Sequence, residues 1–132
     1  MITPDYALQD ALVRACKAAR TAAGDNIFDK VPAKAAYPRV VIGPSQVVPI
    51  GASCLGAKEV TQQVDVWTDS VGFGAARQIA GTIVSLVEDD QLQPTGFVIA
   101  LAVVESTDIS RESDGIVSRA RISIRAILQP AA

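Results

Sequence analysis

The side chains best suited to chemistry in this sequence are two cysteines and a few clustered acids. The 132-residue chain has no histidine, which excludes Ser-His-Asp and Cys-His mechanisms and imidazole metal sites. Cys16 and Cys54 are too few for a four-cysteine zinc site and are interpreted as free thiols in a reducing compartment. Asp108, Glu112 and Asp114 surround a predicted turn, where acids serve local hydrogen bonding. We therefore expect no enzyme, no cofactor and no metal.

A stripe of three arginines is the most distinctive charged feature. Arg119, Arg121 and Arg125 share one parity of a predicted strand, opposite Ile122 and Ile124. Three interpretations remain open. The stripe is solvated charge, or it pairs with acidic residues of a neighbouring subunit, or it lines a surface that meets nucleic acid.

Composition and charge limit the class of protein. Apolar residues make up 49% and charged residues 20%, which excludes a disordered chain. The net charge of −2 does not favour a broad basic surface for nucleic acid. The N-terminus lacks the features of a signal peptide, and the longest apolar run, residues 97–104, is too short to span a membrane. We expect one soluble domain over residues 1–132, with no membrane partner.

The elements that must position these residues follow from periodicity. Helical spacing of apolar residues predicts helices over 4–23 and 72–90. Alternation and turn residues predict five strands, over 27–29, 39–42, 58–68, 97–106 and 116–128. Because helices and strands do not alternate one for one, a parallel doubly wound sheet is disfavoured. The predicted fold is α+β, a two-layer sandwich with a mostly antiparallel sheet and two helices packed on one face.

The last two strands are predicted to form a hairpin about a turn at 113–115. If Val104 faces Arg121, one set of residues shares the core face. That set is Ile99, Leu101, Val103, Ile122, Ile124 and Ala126.

Residues 45–57 form the least regular stretch, which we predict to be a flexible loop or arm. It is poor in charge but holds four large apolar residues, Val47, Val48, Ile50 and Leu55. An ordinary solvent loop would be more polar. It either folds back on its own domain or docks on a neighbour, and in the second case these residues contact another subunit.

The order of short motifs resembles the tail terminator, or tail completion, proteins of long non-contractile-tailed bacteriophages and gene transfer agents. Residues 31–32 and 37–43 resemble the family's opening, a Val-Pro followed by Y-P-x-V-x-I-G. Residues 63–68 resemble its strand ending in tryptophan. Further matches lie in the following helix and late turn, at Gly72, 75–76, 79–80, Leu86, Arg111 and 114–115. The resemblance runs from Leu8 to Ala126.

This resemblance implies a structural virion protein without catalysis. It would be made in the bacterial host cytoplasm and lie at the head-tail interface. Such proteins form a ring, commonly a hexamer, that caps the tail tube, stops its polymerisation and offers a surface for the head. The implied partners are further copies of the chain, the tail tube protein, a head connector or head-closure protein, and DNA that passes through the lumen without sequence-specific binding. The alternatives are another head-tail joint component, such as a head-closure or tube subunit, and a small non-catalytic ligand-binding domain.

Overall fold

The structure is a computed structural model that describes residues 2–51 and 56–131. Two helices and five strands follow one another in the order α1 (Pro4–Ala19), β1 (Ile27–Phe28), β2 (Arg39–Pro49), β3 (Lys58–Thr68), α2 (Gly74–Glu88), β4 (Phe97–Arg111) and β5 (Ser118–Pro130). The strands form one sheet in the order β1-β2-β3-β5-β4, in which only the β1–β2 pair is parallel. The α+β prediction, with a mostly antiparallel sheet and two helices, is confirmed.

Both helices bury one apolar stripe against the same face of the sheet. In α1 the buried residues are Ala7, Leu8, Ala11, Leu12 and Cys16, and in α2 they are Ala76, Ile79, Ala80, Ile83 and Val87. They meet the even-numbered residues of β3 and β5, which are almost all fully buried. Each large aliphatic side chain in this layer contributes about 1.5–3 kcal/mol to folding through burial.

The first helix is shorter than its periodicity predicts. Pro4 occupies its first turn, where the missing N–H costs nothing, and Arg14 Nε donates to Asp10 Oδ2 at 2.9 Å. The helix ends at Ala19 because Arg20 adopts a left-handed conformation with φ of 53°. The predicted end at residue 23 was therefore too late. Helix α2 likewise starts and ends about two residues inside its predicted bounds.

The first part of the predicted loop at 45–57 is instead part of strand β2. The predicted strand ended at Ile42, before Gly43 and Pro44, but β2 continues to Pro49. The register slips between Ile42 and Ser45, so the Gly-Pro pair is a bulge within the strand. Gln62 stabilises this bulge, because its buried Nε2 donates to the carbonyl oxygen of Gly43 at 2.8 Å.

The predicted assignment of β4 residues to the two faces of the final hairpin was partly wrong. Val104 pairs with Ile124, and Asp108 is the residue opposite Arg121, so the assumed register was wrong. Register shifts between Ile99 and Leu101 and between Val104 and Ser106 each insert an extra residue. The first bulge reverses the alternation. Leu101 and Val103, predicted for the core side, therefore lie on the opposite face from the helices.

Both strands of this hairpin also end later than predicted, and β5 begins two residues later than predicted, at Ser118. β4 continues to Arg111 and β5 to Pro130. At the turn, the backbone N–H groups of Ile116 and Val117 donate to Asp114 Oδ1 at 2.9 and 3.0 Å. These bonds lower the pKa of Asp114 and account for the acid at this position as local turn chemistry.

Candidate functional site

The candidate site is the side of the sheet opposite the two helices, which we call the outer face. Strand register arranges its residues in rows that cross β2, β3, β5 and β4. Three rows matter here: Val48–Glu59–Ile127–Leu101, Gln46–Thr61–Arg125–Val103, and Val41–Asp65–Arg121–Asp108. The buried stripes of both helices pack on the other side of the sheet, and Val48 and Leu101 of these rows are exposed.

The three predicted arginines all lie on the outer face of β5. Alternation places Arg119, Arg121 and Arg125 opposite the fully buried Ala120, Ile122, Ile124 and Ala126. The predicted assignment of the two faces of this strand is therefore correct. Each arginine is partly buried between its neighbouring strands rather than extended into solvent.

Each arginine finds a carboxylate within its own chain. Arg121 Nε donates to Asp65 Oδ1 at 3.3 Å, and Arg125 Nη1 donates to Glu59 Oε2 at 3.3 Å. Arg125 Nε also lies 3.8 Å from Glu105 Oε2. Arg119 Nε lies 3.5 Å from Glu112 Oε1. Three arginines thus meet four carboxylates, which balances the positive charge of the stripe.

At the end of the outer face where Arg119 lies, two arginine side chains stack on aromatic rings. The Arg119 guanidinium lies 5.1 Å from the centroid of the Trp67 ring, and Arg39 lies 4.3 Å from that of Tyr37. Such stacking orients a guanidinium and supplements its ion pair. Tryptophan and arginine are also the side chains most enriched at protein interfaces.

The other end of the outer face is apolar. Val98, Leu101 and Val48 are 54%, 40% and 41% exposed, and the partly buried Val103 and Ile127 lie among them. Val48 and Leu101 share one row but lie on opposite edges of the sheet. Exposed apolar side chains grouped on an uncovered sheet face are typical of a protein contact surface.

Comparison with known proteins identifies the family that uses this fold. The sequence model described as tail completion protein gp17 matches residues 7–129. The chain belongs to the tail completion protein gp17 family. It is therefore a structural component of a virion tail, and the predicted family and location are confirmed. No curated protein sequence matches the chain.

Two solved structures share the fold of this family member. A chain from a structure described as the virion of a native gene transfer agent particle superposes with a TM-score of 0.77 at 19% identity. The match covers 92% of this chain and 93% of that chain. The gp17 protein of bacteriophage SPP1 superposes with a TM-score of 0.57 at 22% identity, covering 91% of this chain and 87% of that chain. Both likenesses support the α+β architecture.

The four apolar residues predicted to contact another subunit have different locations in this tail completion protein. Val47 and Val48 lie in β2 and are 36% and 41% exposed, and Ile50 follows the strand and is partly buried. Leu55 and Cys54 lie outside the described residues. Cys16 is a free thiol buried in α1, and burial raises its pKa to about 11. That position suits packing rather than reactivity.

Sequence reasoning missed the acidic partners of the arginine stripe. These partners are Asp65, which is only 8% exposed, and Glu59, both on β3. Their odd parity on β3 matches the parity of the arginines on β5. Once the two strands are paired, the acids are adjacent to the arginines. The alternation within each strand was visible, but the register between them was not.

The described part of the chain also bears on membrane-spanning helices and metal sites. No helix there is both long and apolar enough to span a membrane. Residues 2–51 and 56–131 contain no group of three metal-binding side chains placed to hold one ion.

Proposed function

We propose that this tail completion protein forms a closed ring, a hexamer by family resemblance, that caps the tail tube, stops its polymerisation and joins the tail to the head. The observation that carries this proposal is a sheet covered by helices on one face only, in a chain of a tail completion family. A single-layer sheet with an open face and apolar exposed residues gains stability by packing against further protein.

A ring requires a heterologous contact, in which two different patches of one subunit meet on neighbouring subunits. The sheet offers two different patches, because its edges are formed by different strands, β4 on one side and β1 with β2 on the other. If the rotation between neighbouring subunits brings the last subunit back to the first, the subunits form a ring of fixed size. If it does not, they form an open polymer. A fixed size suits a cap, because a cap must stop growth rather than continue it.

The balanced charge of the outer face supports a passive role towards DNA. Each arginine of the stripe is close to a carboxylate, so few free positive charges remain there to bind phosphate groups. We infer that DNA passes through the ring without sequence-specific binding, and that the protein carries out no catalysis. The partners of the ring are the tube protein on one side and a head connector or head-closure protein on the other.

Native mass spectrometry of the purified protein tests ring formation. A subunit of 13.8 kDa predicts a species of roughly 83 kDa for a closed hexamer, with no larger assemblies as the concentration rises. Mass that grows without limit would favour a tube subunit instead. A monomer that stays monomeric after addition of tube protein would contradict the ring.

A further inference from the structure

The two edges of the sheet, β4 on one side and the end of β2 on the other, both have unpaired segments in the part of the chain that the structure describes. β4 has no strand on its outer side among the described residues. β1 covers β2 only at Val40 and Val41, so no strand within residues 2–51 and 56–131 pairs with residues 45–49 of β2 on that side. Exposed strand edges are a ready template for pairing with another chain, unless they are blocked.

Backbone hydrogen bonds show which edge groups are available. Ile50 N donates to Ala57 O at 3.2 Å, so even-numbered residues of this part of β2 bond to β3. Alternation then directs the N–H and C=O groups of Ser45 and Val47 outwards. On β4, Ala131 N donates to Gly96 O at 3.0 Å. Alternation from this pair, with the extra residue of the first bulge included, makes Leu101 and Val103 bond to β5. The backbone N–H and C=O groups of Ala102 and Val104 therefore point outwards.

These outward groups lie at the same level on the two edges. One row of the sheet runs Val47–Val60–Ala126–Ala102. Successive antiparallel pairs make β2 and β4 run in opposite directions. A second copy that continues the sheet without a change of level therefore places its Val47 opposite Ala102, in an antiparallel pair that exchanges both backbone bonds.

The side chains limit the contact to one part of each edge. Residues 97–104 of β4 are eight apolar residues, whereas residues 106–111 are mostly polar and follow a bulge at Glu105. Pro44 and Pro49 enclose residues 45–48 of β2, so the segment able to donate backbone bonds is short. In the level register Leu101 lies beside Val48 of the next copy, and each shields the other from water.

We propose that residues 97–104 of β4 pair antiparallel with residues 45–48 of β2 in a second copy of this chain. The sheet then continues from subunit to subunit. This inference rests on the proposed ring and names the contact that closes it. Each subunit uses one edge on each side, so the contact is heterologous, as a ring requires.

Cysteine cross-linking tests the pairing directly. Val48→Cys and Leu101→Cys are introduced together in a Cys54→Ser background. Within one chain the two positions are separated by three strand spacings, about 14 Å, too far for a disulfide. Across the proposed contact they form a pair whose Cα atoms are about 4.5 Å apart, which a disulfide can bridge. Mild oxidation should give a ladder of covalent oligomers up to the ring on a non-reducing gel.

The matched control pairs Val48→Cys with Ser110→Cys, which is also exposed on the outer face of β4. Ser110 pairs with Arg119 and Leu101 with Ile127, so the two lie eight residue levels apart, about 27 Å along the sheet, and the control should give no ladder. A ladder in both double variants would overturn the register. A ring-sized native mass without any ladder would overturn edge pairing and leave the ring intact. A monomeric mass without a ladder would overturn both.

A backbone block provides an independent test. Val47→Pro removes an N–H that points away from β3, at the same parity as Pro49, so the intrachain ladder is kept. It should fold, as judged by circular dichroism, but associate at least about tenfold more weakly, because it loses a bond to the next copy. Val47→Thr keeps the N–H and the branched side chain and should associate normally. Association of a folded Val47→Pro variant at the normal strength would contradict the proposal.

Discussion

Replacing Arg121 by Gln should destabilise the fold more than a surface substitution does. The reason lies in its partner: Arg121 Nε contacts Asp65 Oδ1 at 3.3 Å, and the Asp65 side chain is only 11% exposed. Without the guanidinium, the one side-chain donor left to this nearly buried carboxylate within the described part of the chain is Gln63 Nε2, at 3.3 Å. Losing the charged partner of such a group costs about 1–3 kcal/mol, and partial solvent access at Arg121 places the expected loss near 1–2 kcal/mol.

Charge reversal at the same position should cost more. Arg121→Glu would place a third carboxylate between Asp65 on β3 and Asp108 on β4, which are its two cross-strand neighbours. Like charges directly opposite each other on a sheet add up to about 1 kcal/mol, so we expect a total near 2–3 kcal/mol. The reversed variant therefore tests fold stability as well as assembly.

Urea unfolding followed by the fluorescence of Trp67, the single tryptophan, measures these losses. Protein concentration is held fixed because ring formation couples unfolding to concentration. The matched control is Arg20→Gln, since Arg20 Nη1 contacts Asp25 Oδ1 at 3.4 Å but both side chains are about three-quarters exposed. That variant should change stability by less than about 0.5 kcal/mol. Equal losses at Arg121 and Arg20 would refute the argument that burial of the acid sets the cost.

Three other predictions concern the core and the thiols. Ile83→Asp should unfold the protein, since Ile83 is fully buried and an isolated charge there costs several kcal/mol, whereas Ser85→Asp on the exposed side of α2 should still unfold cooperatively in a thermal scan. Alkylation of Cys16 at pH 8 should be at least about a hundredfold slower in the folded protein than in urea, because burial raises the thiol pKa from 9.0 to about 11; equal rates would contradict its placement. Cys54→Ser should leave folding and ring mass unchanged under reducing conditions, and loss of either would overturn its interpretation as an unimportant thiol.

The parts of the fold that could be predicted from sequence are those with uninterrupted periodicity. β3 begins and ends at the predicted residues because its three valines share one parity and most of its polar residues share the other. The inner stripes of both helices and the two faces of β5 follow from the same signal.

The parts that could not be predicted depend on bulges and on pairing between strands. Gly43 and Pro44 have the composition of a turn, and only the contact from Gln62 on the neighbouring strand shows that β2 continues through them. In β4 every residue from 97 to 104 is apolar, so the sequence carries no mark of the bulge at Ala100 that exchanges the two faces. The acidic partners of the arginines were hidden for a related reason, because they depend on the register between β3 and β5.

Tail length, measured by electron microscopy, tests most directly whether this protein stops tube growth. Tube protein is assembled on its initiating complex with and without the purified chain. The proposed cap predicts short tubes of narrow length distribution with the chain present, and longer, variable tubes in its absence. The Val47→Pro variant should behave as though the chain were missing, while Val47→Thr should restore normal lengths. Tubes of the same length distribution with and without the chain would contradict the proposed function.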